Sequence, residues 1–275
     1  MRAAIPGPVA PPPAGSMQWQ AWLYTPPAAR ALVATAFALE AELRPIADAR
    51  VDHGVAHLKL QWWREEIHRL ELGQPRHPLT QTALAAAGAG PGWRPFQDLL
   101  SCLELDLAAS TYETQAELER YFALAAGRQR AIAQLLIPAD DRVARFAGAA
   151  GQSIRGIEVI RDLRQDAAAG RIYLPIAWLD AEGVDHEALC AGQLNEGVIR
   201  CLARLAEYAR EQGQRARDML AGDGHPVLRG HKVLLGLHLA LLDRIEHGQF
   251  EVGQQRQALG PMQSLWTAWR AARQH

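Results

Sequence analysis

Apolar residues recur at helical spacing along nearly the whole chain, and alternating strand-like runs are scarce. Alanine and leucine are abundant and β-branched runs are rare, which favours helix. Helices are predicted over 17–23, 28–50, 54–72, 79–87, 96–110, 116–137, 141–168, 195–221 and 227–247, with a last one after Gly260-Pro261 carrying Trp266 and Trp269. In 28–50, Leu32, Ala36, Leu39 and Leu43 make an apolar side, and Glu40, Arg44 and Asp48 make a second stripe. Pro45 lies within this segment, where a missing donor predicts a kink. In 54–72, Val55, Leu58, Trp62 and Leu70 mark the expected buried face, with Glu65, Glu66 and Arg69 outside. In 116–137, Leu118, Tyr121, Phe122 and Ala125 share a face, while Arg128 and Arg130 are expected in solvent. Residues 178–193 read as a connector. Residues 1–16, rich in proline, alanine and glycine, are expected to be a disordered arm, leaving 17–275 as one helical domain.

The stretch 151–176 organises the rest. Ile154, Ile157, Ile160 and Leu163 follow the helical period, and Arg155, Glu158, Asp162 and Asp166 form one stripe. Asp162 and Asp166, one turn apart, can converge on a hard cation such as Mg²⁺, which takes oxygen ligands and is commonly shared with a phosphate. Gly170 closes the helix, and Arg171 and Tyr173 follow at once. The plainer reading of such a stripe is a solvated face laced by i,i+4 pairs.

The longer string Arg161-Asp162-x-x-x-Asp166-x-x-x-Gly170-Arg171-x-Tyr173-Leu174-Pro175 resembles the second aspartate-rich motif of the squalene/phytoene synthase family. Leu60-x-x-Trp63-Arg64, with the later His77-Pro78 turn, is similar to the same family. The resemblance implies a single all-α domain of the isoprenoid synthase fold, with about eight to eleven helices around a central cavity. It implies a prenyltransferase that joins two prenyl diphosphates using Mg²⁺. On that reading Asp162, Asp166 and Tyr173 are catalytic, and Arg171, Arg155 and Arg44 bind diphosphate. Asp162, Asp166, Glu158 and Asp48 hold the metal. Phe37, Leu39 and Leu163 are expected among the residues lining an apolar pocket for the prenyl chains.

The first aspartate-rich motif is degraded. Aligned without gaps from Leu60, the family's Arg-x-x-Asp-Asp-x-x-Asp falls on residues 41–48, where only Asp48 survives. Arg44 puts a fixed cation where the family has a carboxylate. Glu42 is a further oxygen donor nearby. A run at 58–63, Leu-Lys-Leu-Gln-Trp-Trp, resembles the mitochondrial complex I assembly factor of this superfamily. The alternative is therefore a non-catalytic relative, binding a prenyl lipid or assisting respiratory-complex assembly.

Composition narrows the field. A 275-residue chain that is 49% hydrophobic can bury a large core. Its net charge of −1 gives no electrostatic footprint for nucleic acid. Three cysteines without metal spacing suggest a reducing compartment. No signal peptide or transmembrane run is apparent. The family resemblance implies a cytoplasmic protein with peripheral contact at the inner face of the membrane. No zinc-binding, P-loop, dinucleotide-binding or nucleophile-elbow string occurs.

Overall fold

The computed structural model describes residues 9–48, 51–220, 225–252 and 256–273. Among these residues the chain is all-α, with thirteen helices and four short 3₁₀ turns and no strand. In order they are α1 (Met17–Tyr24), α2 (Arg30–Leu43), α3 (His53–Glu71), α4 (Pro78–Ala87), α5 (Pro95–Leu107), α6 (Gln115–Ala125), α7 (Gly127–Leu136), α8 (Asp141–Ala168), α9 (Ile176–Ala181), α10 (His186–Cys190), α11 (Glu196–Met219), α12 (Arg229–His247) and α13 (Pro261–Arg273). None is long and apolar enough to cross a membrane.

The axis is α8. Its 28 residues begin on the Asp140 carboxylate, which accepts from the N–H groups of Arg142 and Val143. At 1.5 Å per residue it is about 42 Å long. Helices α6, α7, α11 and α12 all pack on it. Ile154, Ile157, Ile160 and Leu163 are consequently buried. The Ser153 hydroxyl donates to the Ala209 carbonyl at 2.7 Å and pins α11 to α8.

Several expected elements differ from the structure for identifiable reasons. Residues 28–50 do not form one kinked helix: α2 stops at Leu43, and Arg44–Ala47 tighten into a 3₁₀ turn around Pro45. Helix 116–137 divides at Ala126. There a Cβ on Gly127 would stand 2.2 Å from the Pro95 carbonyl, so only glycine lets α7 meet the start of α5 so closely. Residues 178–193 contain α10 and the end of α9. Residues 9–16, expected within a disordered arm, lie along α2: Pro12 is buried, and Ser16 caps α1 by accepting from the Trp19 N–H. Residues 1–8 lie outside the described residues.

The buried face of α3 is also not the expected one. Leu70 is buried as expected, but Val55, Leu58 and Trp62 are exposed, and Ala56, Leu60, Trp63 and Ile67 face the core in their place. That second set keeps steps of four and three without a break from Ala56 to Leu70, and it carries Glu66 inward with it. Glu66 is fully buried because it is fully bonded. Its carboxylate accepts from the N–H groups of Arg76 (2.7 Å) and His77 (2.8 Å), from Arg69 Nε (2.9 Å) and from the Thr80 hydroxyl. It thereby fixes the turn into α4. Arg128, expected in solvent, is buried against Glu40 and over the Phe37 ring. Arg130 is bound to Asp98 at 2.5 Å.

Helix α13 turns its small residues inward. Ser264, Ala268 and Ala271 are buried, whereas Met262, Leu265, Trp266 and Trp269 are exposed.

Burial pushes the Glu66 carboxyl up, but the His77 N–H, Thr80, Arg69 and the Arg76 N–H together hold it below the usual range. Its contribution is therefore present above the unfolded value of about 4.3 and is lost as pH falls through the lower folded value. Glu66→Gln should lose about 1–3 kcal/mol at neutral pH, and the gap to the parent should narrow in acid. Urea unfolding of both proteins across that pH range measures it, and a gap that widens in acid contradicts the assignment.

Candidate functional site

The C-terminus of α8 builds one wall of the site. Gly170, at φ +76°, ends the helix: its N–H reaches the Ala167 carbonyl at 2.9 Å, and the Arg171 N–H reaches that of Asp166 at 2.8 Å. This Schellman turn folds the chain back on the last helical turn. Arg171 is thus returned beside Asp166, with Nη2 at 3.2 Å from Oδ1. Its Nη1 lies 3.4 Å from the Ala47 carbonyl, tying α8 to the 3₁₀ turn opposite. Its Nε is buried without a partner.

Between these walls lies a cavity of about 750 Å³, lined by residues that include Arg44, Asp48, Asp106, Arg155, Asp162, Asp166, Arg171 and Tyr173. The 3₁₀ turn supplies Arg44, and Asp48 follows it. Arg44 donates to Glu40 Oε1 through Nε (3.1 Å) and Nη2 (2.7 Å), and Nη2 lies 3.9 Å from Glu158 Oε2. A second cavity of about 410 Å³ shares Arg44; Ala10–Pro13, Ala34, Phe37, Ala38 and Ala41 make it largely apolar.

At the inner end, the Tyr121 and Tyr173 hydroxyls both donate to Asp106 Oδ1, at 2.8 and 2.7 Å. Arg155 donates to the Tyr121 oxygen through Nε (3.0 Å) and Nη2 (2.6 Å). Its guanidinium also lies 5.0 Å from the Tyr173 ring centre. Burial pushes both phenols up, so they remain protonated donors. The result is a fixed relay of donors from Arg155 to a carboxylate.

The two aspartates of α8 have different surroundings. Asp162 is clamped by two arginines. Arg256 reaches Oδ1 through Nε at 2.8 Å and Oδ2 through Nη2 at 3.2 Å. Arg161 meets Oδ1 at 2.9 Å through Nε and also holds Oδ2. Burial pushes the Asp162 carboxyl up, but these guanidinium groups bring it below the usual range. For Asp166 burial wins: Arg155 and Arg171 offset it in part, Asp162 adds to it, and the carboxyl lies above the usual range.

Asp162, Asp166, Tyr173, Arg171, Arg155, Arg44 and Asp48 therefore line one cavity. Glu158 does not line this cavity itself; its carboxylate lies behind the lining, 3.9 Å from Arg44 and 3.7 Å from each of His238 and Arg155. The expected apolar lining is not found here. Leu39 and Leu163 are packed in the core, and Phe37 lines the second cavity. Sequence reasoning missed Arg161, Arg256 and Tyr121 as site residues. Asp106, on α5, is a further residue of the site that the motifs did not mark.

Comparison with known proteins identifies the family and the fold. The squalene/phytoene synthase profile matches residues 18–263. The chain belongs to the squalene/phytoene synthase family. It is 28% identical over 224 residues to a phytoene synthase of Arthrospira platensis, covering 72% of this chain and 69% of that one. It is 33% identical over 171 residues to a phytoene synthase of Thermus thermophilus, covering 60% of this chain and 57% of that one. Among solved structures, a dehydrosqualene synthase in complex with ligand superposes with a TM-score of 0.80 at 18% identity, over 94% of this chain and 90% of that chain. A squalene synthase of Alicyclobacillus acidocaldarius superposes with a TM-score of 0.73 at 23% identity, over 84% of this chain and 88% of that chain. The fold is thus the all-α isoprenoid synthase fold.

Squalene/phytoene synthases generally use a divalent metal. The donors present here do not fit a metal cage strung between two acidic helices. Among the described residues no group of three or more carboxylate, histidine or cysteine side chains is placed to hold an ion. Both Asp162 oxygens are held by guanidinium groups. An ion ligated by Glu158 would stand within roughly 6 Å of the Arg44 guanidinium, a repulsion on the order of 5 kcal/mol at an effective dielectric constant of ~20.

The contrast between the two aspartates is measurable. Asp162 stabilises the fold above the unfolded value of about 3.9 and ceases to as pH falls, whereas Asp166 costs stability as pH rises through its elevated folded value. At neutral pH, Asp162→Asn should lose about 1–3 kcal/mol, and Asp166→Asn should be neutral or stabilising. Thermal unfolding of both variants at neutral and acid pH tests this; equal losses at neutral pH contradict it.

Proposed function

We propose that this squalene/phytoene synthase family member binds a prenyl diphosphate, with its head in the larger cavity, and that condensation of two such molecules is greatly weakened or lost. The observation that carries the reading is the guanidinium of Arg44 opposite the α8 carboxylates. Arg44, Arg155 and Arg171 give the cavity three cations, and arginine suits bidentate recognition of phosphate oxygens. The volume lies within the range of small-molecule sites. The smaller cavity, sharing Arg44 and walled by Phe37 and alanines, offers an apolar place for the prenyl chain.

The same residues argue against efficient ionisation. Loss of diphosphate from an allylic carbon requires the leaving charge to be stabilised as it grows. Here Arg44, held by Glu40, and Arg155, held by Tyr121, present the same fixed charge to a bound diphosphate as to a departing one. The arrangement suits holding a head group better than rewarding its departure.

Two assays on the intact protein test the proposal. Titration with the non-ionisable thiolo analogue of farnesyl diphosphate should give saturable binding. Incubation with farnesyl and geranylgeranyl diphosphates plus Mg²⁺ should release little diphosphate and yield no condensed hydrocarbon. Rapid release abolished by Asp162→Asn would make the protein an active synthase. Absence of any binding would leave the non-catalytic assembly reading.

A further inference from the structure

We infer that the cavity holds its anionic ligand through fixed guanidinium groups, so that diphosphate binding does not require a divalent metal. This rests on the diphosphate reading above and concerns what supplies the counter-charge. A metal-dependent site must keep carboxylate oxygens uncommitted, because each is a ligand position. Here both oxygens of Asp162, and one oxygen each of Asp166 and Asp106, are already engaged. Asp162 lies between Arg161 and Arg256, and Asp166 beside Arg171. Glu158 faces Arg44, Arg155 and His238. Asp106 takes two phenolic hydrogen bonds on one oxygen.

The cations, by contrast, retain donors. Each guanidinium carries five N–H groups. Two nitrogens of Arg155 go to one phenolic oxygen, and Arg171 Nε is buried with no acceptor. Arg44, whose side chain is 38% exposed, reaches both cavities. A diphosphate entering between Arg44, Arg155 and Arg171 meets positive charge held in place by the fold. Arg256, from the segment that precedes α13, has a second effect: it neutralises Asp162, which would otherwise repel the incoming anion.

Isothermal titration of the full chain with inorganic pyrophosphate and with the thiolo analogue of farnesyl diphosphate, in EDTA and in Mg²⁺, separates the alternatives. The expected result is affinity in EDTA within about threefold of that in Mg²⁺. Arg44→Gln should weaken binding in EDTA by about tenfold or more. Arg256→Gln, at an exposed side chain remote from the core, should weaken it by about fivefold and keeps the test available if Arg44→Gln misfolds. Arg44→Asp, which restores a carboxylate opposite α8, should make binding depend on Mg²⁺. Binding by the parent protein seen only in Mg²⁺ overturns this inference and leaves the diphosphate reading standing. Binding in EDTA unchanged by both Gln variants also overturns it. No binding of either probe in either buffer overturns both.

Discussion

The guanidinium of Arg44, held by Glu40 and facing Glu158 across the gap between α2 and α8, sets the character of this site. It is placed by backbone chemistry. Pro45 has no N–H to continue α2, so the chain tightens into a 3₁₀ turn, and that turn presents Arg44 and then Asp48 to the cavity. Across the gap the Schellman turn at Gly170 brings Arg171 back beside Asp166 and onto the Ala47 carbonyl. A proline that ends α2 in a 3₁₀ turn and a glycine that turns the chain back after α8 thus bring arginines to both walls.

Around that gap the protein balances charge locally. Asp162 is matched by Arg161 and Arg256, Glu66 by Arg69 and two N–H groups, and Glu40 by Arg44 and Arg128. Removing one member of a buried pair leaves the other charge uncompensated, which is strongly destabilising. Asp166 is the exception, since its burial outweighs its partners.

Much of the fold was legible in the chain. The period of α8 and the closing glycine at 170 act where local rules place them. What was not legible depended on neighbours far along the sequence. Glu66 reads as a surface residue until the turn at 76–80 supplies its donors. Arg128 reads as solvated until α2 supplies Glu40 and Phe37. At the site, the motif from Arg161 to Pro175 lies on one wall, and Arg44 and Asp48 of the stretch at 41–48 lie on the other. Arg256, ninety-four residues from Asp162, carries no local signal that pairs it with that carboxylate.

The most direct measurement is a crystal structure of the protein with the thiolo analogue of farnesyl diphosphate, grown without divalent metal. The diphosphate is expected in the larger cavity, its oxygens within hydrogen-bond distance of Arg44, Arg155 and Arg171. A diphosphate bound away from these three arginines, or an empty cavity at saturating ligand, would contradict it.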